Sequence, residues 1–360
     1  MSKSLSSPVL ILPAILGEVV VWGDDANHQI TDRPKVAGFT RVAPGGGTQS
    51  LALGATGRPE VWGAFGLGTP AMPVVPDPLT FPAGEKYVDM AIGVSFAAAI
   101  RASNHWIDTS GTFAAPPYDD AALPMKFEGM RFIAVTVGGG HGVAIVEHEG
   151  TLLQWGAGEG TEPRPKHGMS RKYIKFVEVR ARNDYSLALD ESGDLYGWGG
   201  KHLFRPESGA ATAHPLAGTG WKFVSTDDPP TPGTAPADLI PNGYWFHKGP
   251  FTAIAAGGTP KTPNALPHVL ALRPNGSVVG WPATSSAVIA PTGIKLSAIA
   301  AGLGFSLGLD REGMLHHWGE PGATAANGMG VLENVPLGPF VSIGAGTRHA
   351  SAVRPGGTSA

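Results

Sequence analysis

Several residue clusters in this chain are of types that bind metals or phosphates. His316 and His317 are neighbours on a predicted strand, where adjacent side chains point to opposite faces, so they cannot chelate one ion together. Three aspartate pairs lack the regular oxygen-ligand spacing of a calcium loop, and two triple-glycine runs lead into strands rather than into the helix that a phosphate loop requires. These are Asp24–Asp25, Asp119–Asp120, Asp227–Asp228, Gly45–Gly47 and Gly138–Gly140. The sequence therefore predicts no metal site and no cofactor.

Catalytic motifs are also missing from the sequence. There is no nucleophile elbow, zinc-protease helix or nucleotide fingerprint, and the absence of cysteine excludes disulfides, thiolate metal sites and cysteine nucleophiles. A lyase or a hydrolase would need polar groups from different loops to converge on one pocket, and His28, Tyr118, His202 and Arg205 are candidates for this. We expect no catalytic residues, and the enzyme reading stays as an alternative.

Aromatic residues concentrate in one irregular part of the chain. Large rings with a polar edge are typical anchors of protein interfaces, so this part is predicted to bind a partner. The predicted binding residues are His202, Phe204, Trp221, Tyr244, Trp245, Phe246 and His247. Two alternatives remain: the rings fill gaps in an irregular part of the fold, or they stack on carbohydrate.

Composition narrows the class of partner. Charged residues make up 15% of the 360 residues and the net charge is −3, so no basic face for nucleic acid is expected. No apolar run reaches the length of a membrane span, and we expect a soluble, cytoplasmic monomer. The 52 Gly and 33 Pro, with 42% hydrophobic residues, are typical of many short strands joined by turns.

The elements that position these residues follow from an internal repeat. A glycine is followed five positions later by tryptophan at Gly17/Trp22, Gly57/Trp62, Gly150/Trp155, Gly193/Trp198, Gly276/Trp281 and Gly313/Trp318. A turn of the type Asp190–Gly193 and a strand such as Ser186–Leu189 precede this motif, which indicates a hairpin. Further upstream, strands such as Phe251–Gly257 end on small residues that allow close packing around an axis.

Two degenerate copies extend the count of repeats. Trp106 and Lys248 are assigned to the tryptophan position, which gives eight units of about 42 residues, a spacing typical of four-stranded propeller blades. We therefore predict one all-β domain over residues 1–360, a closed β-propeller with a degenerate blade at 200–250. If the Trp221–Gly249 unit is only an insertion, the count is seven. Strands are predicted at Val9–Leu12 and Glu18–Trp22, and the N- and C-terminal strands join to close the ring.

The repeat resembles that of the regulator of chromosome condensation family over Gly17 to Val353. His141 and His349 stand where that family often has histidine, whereas Gln49, Phe96, Tyr185 and Phe305 depart from its pattern. The resemblance implies a binding protein, and the compact repeat looks more like the bacterial members, one of which inhibits β-lactamases. The chain lacks the partner-insertion element and the basic arm of the exchange factor in that family.

Long, unequal loops are predicted on one face of the propeller, where recognition usually lies. They are Asp24–Lys35, Ala64–Pro82, Asp108–Phe127, Ala157–Arg171, Gly200–Gly220, Asp227–Pro236, Gly258–Pro267 and Glu320–Pro339. The leading hypothesis is a protein that docks a protein partner on this loop face, as an inhibitor, effector or assembly factor.

Overall fold

The computed structural model of the protein describes residues 17–26, 28–45, 49–63, 81–94, 96–111, 129–156, 174–204, 216, 218–225, 243–258, 267–283, 285–319 and 331–356. Within these residues the chain is all-β, with 23 strands and two short helical turns. The turns are a π-helical turn at Gly200–Phe204 and a 3₁₀ turn at Ser286–Val288. The predicted strand at Val9–Leu12 lies outside the described residues.

The described strands pair antiparallel in six sheets. Twenty-one of the 23 strands fall into seven sets of an inner, a middle and an outer strand. The inner strands are β2 (Ala37–Pro44), β5 (Tyr87–Ile92), β8 (Phe132–Val137), β11 (Phe176–Arg182), β16 (Ala253–Gly257), β19 (Leu296–Ala301) and β22 (Ser342–Ala345). The middle strands are β3 (Ser50–Gly54), β6 (Phe96–Arg101), β9 (His141–Val146), β12 (Tyr185–Asp190), β17 (His268–Leu272), β20 (Phe305–Asp310) and β23 (His349–Pro355). The outer strands are β4 (Pro59–Trp62), β7 (Ile107–Gly111), β10 (Leu152–Gly156), β13 (Leu195–Gly199), β18 (Val278–Trp281), β21 (Leu315–Gly319) and β1 (Gly17–Gly23).

Strand β1 completes the set that contains the two C-terminal strands. It pairs antiparallel with β23 from Gly17 opposite Pro355 to Gly23 opposite His349. The predicted strand Glu18–Trp22 and its pairing with the C-terminal strand are therefore confirmed. Val19, Val21 and Trp22 of β1 are buried, so this pairing also encloses apolar side chains.

The unit at Trp221–Gly249 does not form a separate sheet. Its strands β14 (Trp221–Ser225) and β15 (Gly243–His247) extend the β11–β13 sheet, in the order β11-β12-β13-β15-β14. Lys248, which the repeat assigns to a tryptophan position, instead places its ammonium nitrogen 2.8 Å from the carboxylate of Asp194, the residue directly before β13. The count of eight blades is not confirmed.

One other assignment from the repeat is wrong. Trp106 lies before β7 and is 42% exposed, whereas Ser110 pairs with Ala97 of the middle strand. In a regular set the tryptophan holds that position, as Trp155 does opposite Gly142. The turn before β7 has the same length as the turn before β10, and Trp106 lies in this turn rather than on the strand.

Tryptophans of the repeat connect neighbouring sets through their indole N–H groups. Trp62 donates to the backbone oxygen of Gln29 at 2.8 Å, and Trp318 donates to that of Ala287 at 2.8 Å. Both acceptors lie in the segment that joins one set to the next. The middle strands are buried on both faces, so the hydrophobic core lies between adjacent sheets as well as within them.

Glycines at the ends of the inner strands allow neighbouring backbones to approach closely. A Cβ on Gly45 would lie 2.8 Å from the carbonyl oxygen of Gly93, and one on Gly346 would lie 3.1 Å from that of Gly45. Gly257 and Gly302 would meet the next set in the same way. Any larger residue at these positions would collide with backbone, which cannot move aside as a flexible side chain can. Residues of all seven inner strands line a single cavity of about 220 Å³.

Candidate functional site

Five of the seven predicted aromatic residues lie on the antiparallel pair β14 and β15, and the other two, His202 and Phe204, lie in the π-helical turn. Phe223 pairs with Trp245 and Trp221 pairs with His247, so these four side chains share one face of the pair. Tyr244 and Phe246 lie on the other face, because side chains alternate along a strand. The structure therefore brings the predicted residues together but divides them between two faces.

The first face packs into the protein at one end. Trp221 is buried, with ring centroids 5.5 Å from Phe204 and 5.3 Å from Trp281. The imidazole of His247 lies beside Trp281 as well, at 4.8 Å, and burial lowers the pKa of His247. Phe204 and Trp221 thus fill space between two sheets. For these two rings this arrangement agrees with the alternative that they fill gaps in an irregular part of the fold.

On the second face, Tyr244 and Phe246 pack beside Tyr196 of β13, the neighbouring strand in the same sheet. Tyr244 is buried, and its ring centroid lies 5.8 Å from Tyr196, while half-buried Phe246 lies 5.3 Å from the same ring. Burial raises the pKa of Tyr244. The salt bridge of Lys248 to Asp194 and the bond from the Gly249 N–H to the same carboxylate at 2.8 Å fix the end of β15.

Among the described rings on β14 and β15, Phe223 is the most exposed, and half-buried Trp245 lies beside it. The Phe223 side chain is 37% exposed, and its ring centroid lies 5.6 Å from that of half-buried Trp245 in an edge-on arrangement. The indole N–H of Trp245 donates to the backbone oxygen of Phe204 at 2.7 Å, which fixes the ring. Among the described strands β14 pairs only with β15, so its other side is a sheet edge. We call Phe223, Trp245 and this edge the β14 surface.

Two points separate this arrangement from the sequence prediction. Phe223 was not among the predicted residues, although it alternates with Lys222 on the predicted strand and the alternation could have identified it. His202 lies in the π-helical turn, but its side chain is outside the described set. Of the other predicted residues, Phe204, Trp221 and Tyr244 are buried, and Trp245, Phe246 and His247 are half-buried.

Candidates for other chemistry are separate from this surface. The imidazole of exposed His28 contacts Thr31 at 3.3 Å, and Tyr118 and Arg205 lie outside the described residues. Asp25 accepts the backbone N–H groups of Ile30 at 2.7 Å and Thr31 at 3.1 Å, so it stabilises a turn. Over the part of the chain that the structure describes, no group of three potential metal ligands occurs, and no helix is long and apolar enough to cross a membrane.

Similarity to curated proteins covers part of the chain. No family model matches the sequence. The E3 ubiquitin-protein ligases HERC2 of Homo sapiens and Mus musculus are each 27% identical to it over 179 residues. This match covers 42% of the chain and 4% of either relative, so the chain spans only a small part of the length of these proteins.

Similarity to solved structures covers nearly all of the chain. Human WBSCR16 matches with a TM-score of 0.62 and 16% identity, over 94% of this chain and 100% of that one. Yeast RCC1 (Prp20), in a structure with bound Kap60, matches with a TM-score of 0.65 and 18% identity, over 100% and 95% of the two chains. Prp20p from Saccharomyces cerevisiae matches with a TM-score of 0.63 and 18% identity, over 96% and 93%. The likeness shows a common fold.

Proposed function

We propose that this chain, which has the fold of the RCC1-type propellers and a repeat that resembles theirs, works by binding a protein partner at the β14 surface. One of the similar structures contains yeast RCC1 bound to Kap60, and another concerns the binding of Prp20p to Gsp1p and histones. These partners belong to those proteins. They support protein binding as the general role of the fold, as inhibitor, effector or assembly factor.

The observation that carries the proposal is an exposed ring beside a sheet edge. An extended segment of a partner can add a strand to such an edge through main-chain hydrogen bonds, while its side chains occupy adjacent apolar pockets. Phe223 and Trp245 supply the apolar contact next to β14, and the bond from Trp245 to Phe204 holds one ring in place before binding. A fixed ring loses little conformational entropy when a partner docks.

We further propose that the seven sets close into one propeller domain that acts as a monomer in the cytoplasm. The pairing of β1 with β23 and the contacts between successive inner strands, including β22 with β2, support the closure. In this arrangement the inner and outer strands of every set run in the same direction. The predicted loop face is at the end of the propeller where their last residues lie.

The test is affinity capture from a lysate of the native organism with immobilised protein. The Phe223→Ala/Trp245→Ala double variant is compared with the wild type and with Trp106→Ala, which removes a similarly exposed ring far from β14 in the sequence. All three proteins must show the same circular dichroism and thermal unfolding. The proposal expects a protein recovered with the wild type and Trp106→Ala and lost with the double variant.

Two results contradict the proposal in different ways. Equal recovery with all three baits means that a partner binds elsewhere on the molecule. If no bait recovers any protein, the protein-binding role itself is wrong, and a glycan array then tests the carbohydrate alternative.

A further inference from the structure

Arg182 occupies a position at which the other six repeats have glycine. In each repeat this position lies six residues after the large apolar residue that begins the inner-strand segment. The pairs are Phe39/Gly45, Tyr87/Gly93, Phe132/Gly138, Phe251/Gly257, Leu296/Gly302 and Phe340/Gly346, and the seventh is Phe176/Arg182. The position that elsewhere carries no side chain therefore carries a guanidinium in one repeat.

Arg182 lies inside the protein and is one of the residues that line the cavity between the inner strands. The residue is only 7% exposed, and Nη2 donates to the Thr347 hydroxyl at 3.3 Å. Its Nε is buried and has no acceptor among the described residues. No described carboxylate lies within ion-pair distance, and the charge of Arg182 interacts electrostatically with Tyr185 and His349.

The two other arginines of the cavity differ from Arg182 because each has an acidic partner. The guanidinium of Arg41 lies 2.6 Å from the carboxylate of Asp89, and that of Arg180 lies 2.6 Å from Glu178. Both are about half exposed. The cavity wall thus carries one buried cation without a described counter-charge, an arrangement that is costly unless a ligand supplies the missing charge.

We propose that Arg182 binds a small free oxyanion, a carboxylate or a phosphate group, inside the cavity. A guanidinium presents parallel N–H donors whose spacing matches the two oxygens of such a group. The cavity of about 220 Å³ has room for an ion of this size together with several waters, each of which takes about 30 Å³ in the liquid. This site is independent of the β14 surface and of any protein partner.

Isothermal titration calorimetry on the full chain tests the proposal, with inorganic phosphate and succinate as probes and chloride keeping the ionic strength constant. We expect saturable binding of at least one probe and a raised melting temperature in its presence. Comparison of the two probes distinguishes phosphate from carboxylate recognition. In Arg182→Met the affinity should fall at least tenfold. In Arg182→Lys it should also fall, because lysine keeps the positive charge but lacks the two parallel N–H donors of a guanidinium.

Arg41→Met is the matched control, since it removes a paired arginine from the same cavity and should keep the affinity within about threefold. Without any probe, Arg182→Met should melt no lower than the wild type, because it removes a buried charge that has no counter-charge. Absence of saturable binding of both probes overturns the proposal. Unchanged affinity in Arg182→Met does so too, and a lower melting temperature of that variant without the probes would assign the arginine a structural role instead.

Discussion

The imidazole Nε2 of His349 lies 2.5 Å from the hydroxyl of Ser50, although 299 positions separate them in the chain. Both residues are fully buried, and each lies at the start of a middle strand. The same contact recurs as His141 with Ser186 at 2.8 Å and as His268 with Ser306 at 3.2 Å. A buried imidazole therefore ties the middle strand of one set to that of the next at three junctions between described sets.

Acid should destabilise the protein through two of these histidines. Burial lowers the pKa of His141 and of His349 to about 4, whereas an unfolded histidine titrates near 6.5. Between these values the unfolded state binds more protons, so the free energy of unfolding falls as the pH decreases from about 6.5 to about 4. Each histidine can contribute about 1.4 kcal/mol per pH unit in this window.

Urea unfolding at a series of pH values measures this dependence. The His141→Gln/His349→Gln variant starts from a lower stability but should show a clearly shallower slope between pH 6.5 and 4.5. Equal slopes for the variant and the wild type would mean that these histidines do not link folding to pH.

The close approach at the inner-strand ends predicts a sharp difference between two glycines. Gly45→Ala should lower the free energy of unfolding by about 1–3 kcal/mol, because the new Cβ meets the backbone of the neighbouring set. Gly54→Ala is the control, since a Cβ there lies at ordinary contact distance, 3.4 Å or more from its neighbours. Chemical denaturation measures both, and equal stability of the two variants would contradict the packing described for the inner strands.

Two rings on the same face of β14 should respond differently to truncation. Trp221→Ala removes a buried ring and should cost about 3–5 kcal/mol of stability, whereas Phe223→Ala removes a partly exposed one and should cost less than about 1 kcal/mol. Thermal unfolding compares the two. A large loss for Phe223→Ala would show that this ring is needed for folding, and its use as a binding anchor would then lack support.

The repeat predicted the strands of the fold because its signals are local. The glycine–tryptophan spacing and the turn after Ser186–Leu189 report hairpin geometry that neighbouring residues set between themselves. The number of sets depends instead on which sheet β15 joins. The pairing of Leu195 with His247 joins residues that are far apart in the sequence. Aromatic packing around Trp221 and Tyr196 accompanies it, and no short motif encodes it.

The candidate site was predictable only as a region. Its richness in aromatic residues identified the strands β14 and β15, but burial separates Phe204 and Tyr244 from the accessible Phe223, and burial depends on the neighbouring sheets. Arg182 was detectable in principle, because it interrupts a glycine position shared by the other six repeats. Its burial and its lack of a described acidic partner needed the structure.

Site-specific photo-crosslinking at position 223 tests protein binding at the β14 surface most directly. A photoreactive phenylalanine analogue replaces Phe223 in one protein and Trp106 in a second, and each protein is irradiated in lysate of the native organism. The account predicts a covalent adduct with a partner polypeptide from position 223, lost when Trp245→Ala is added, and no such adduct from position 106. No adduct from position 223, or the same adducts from both positions, would contradict it.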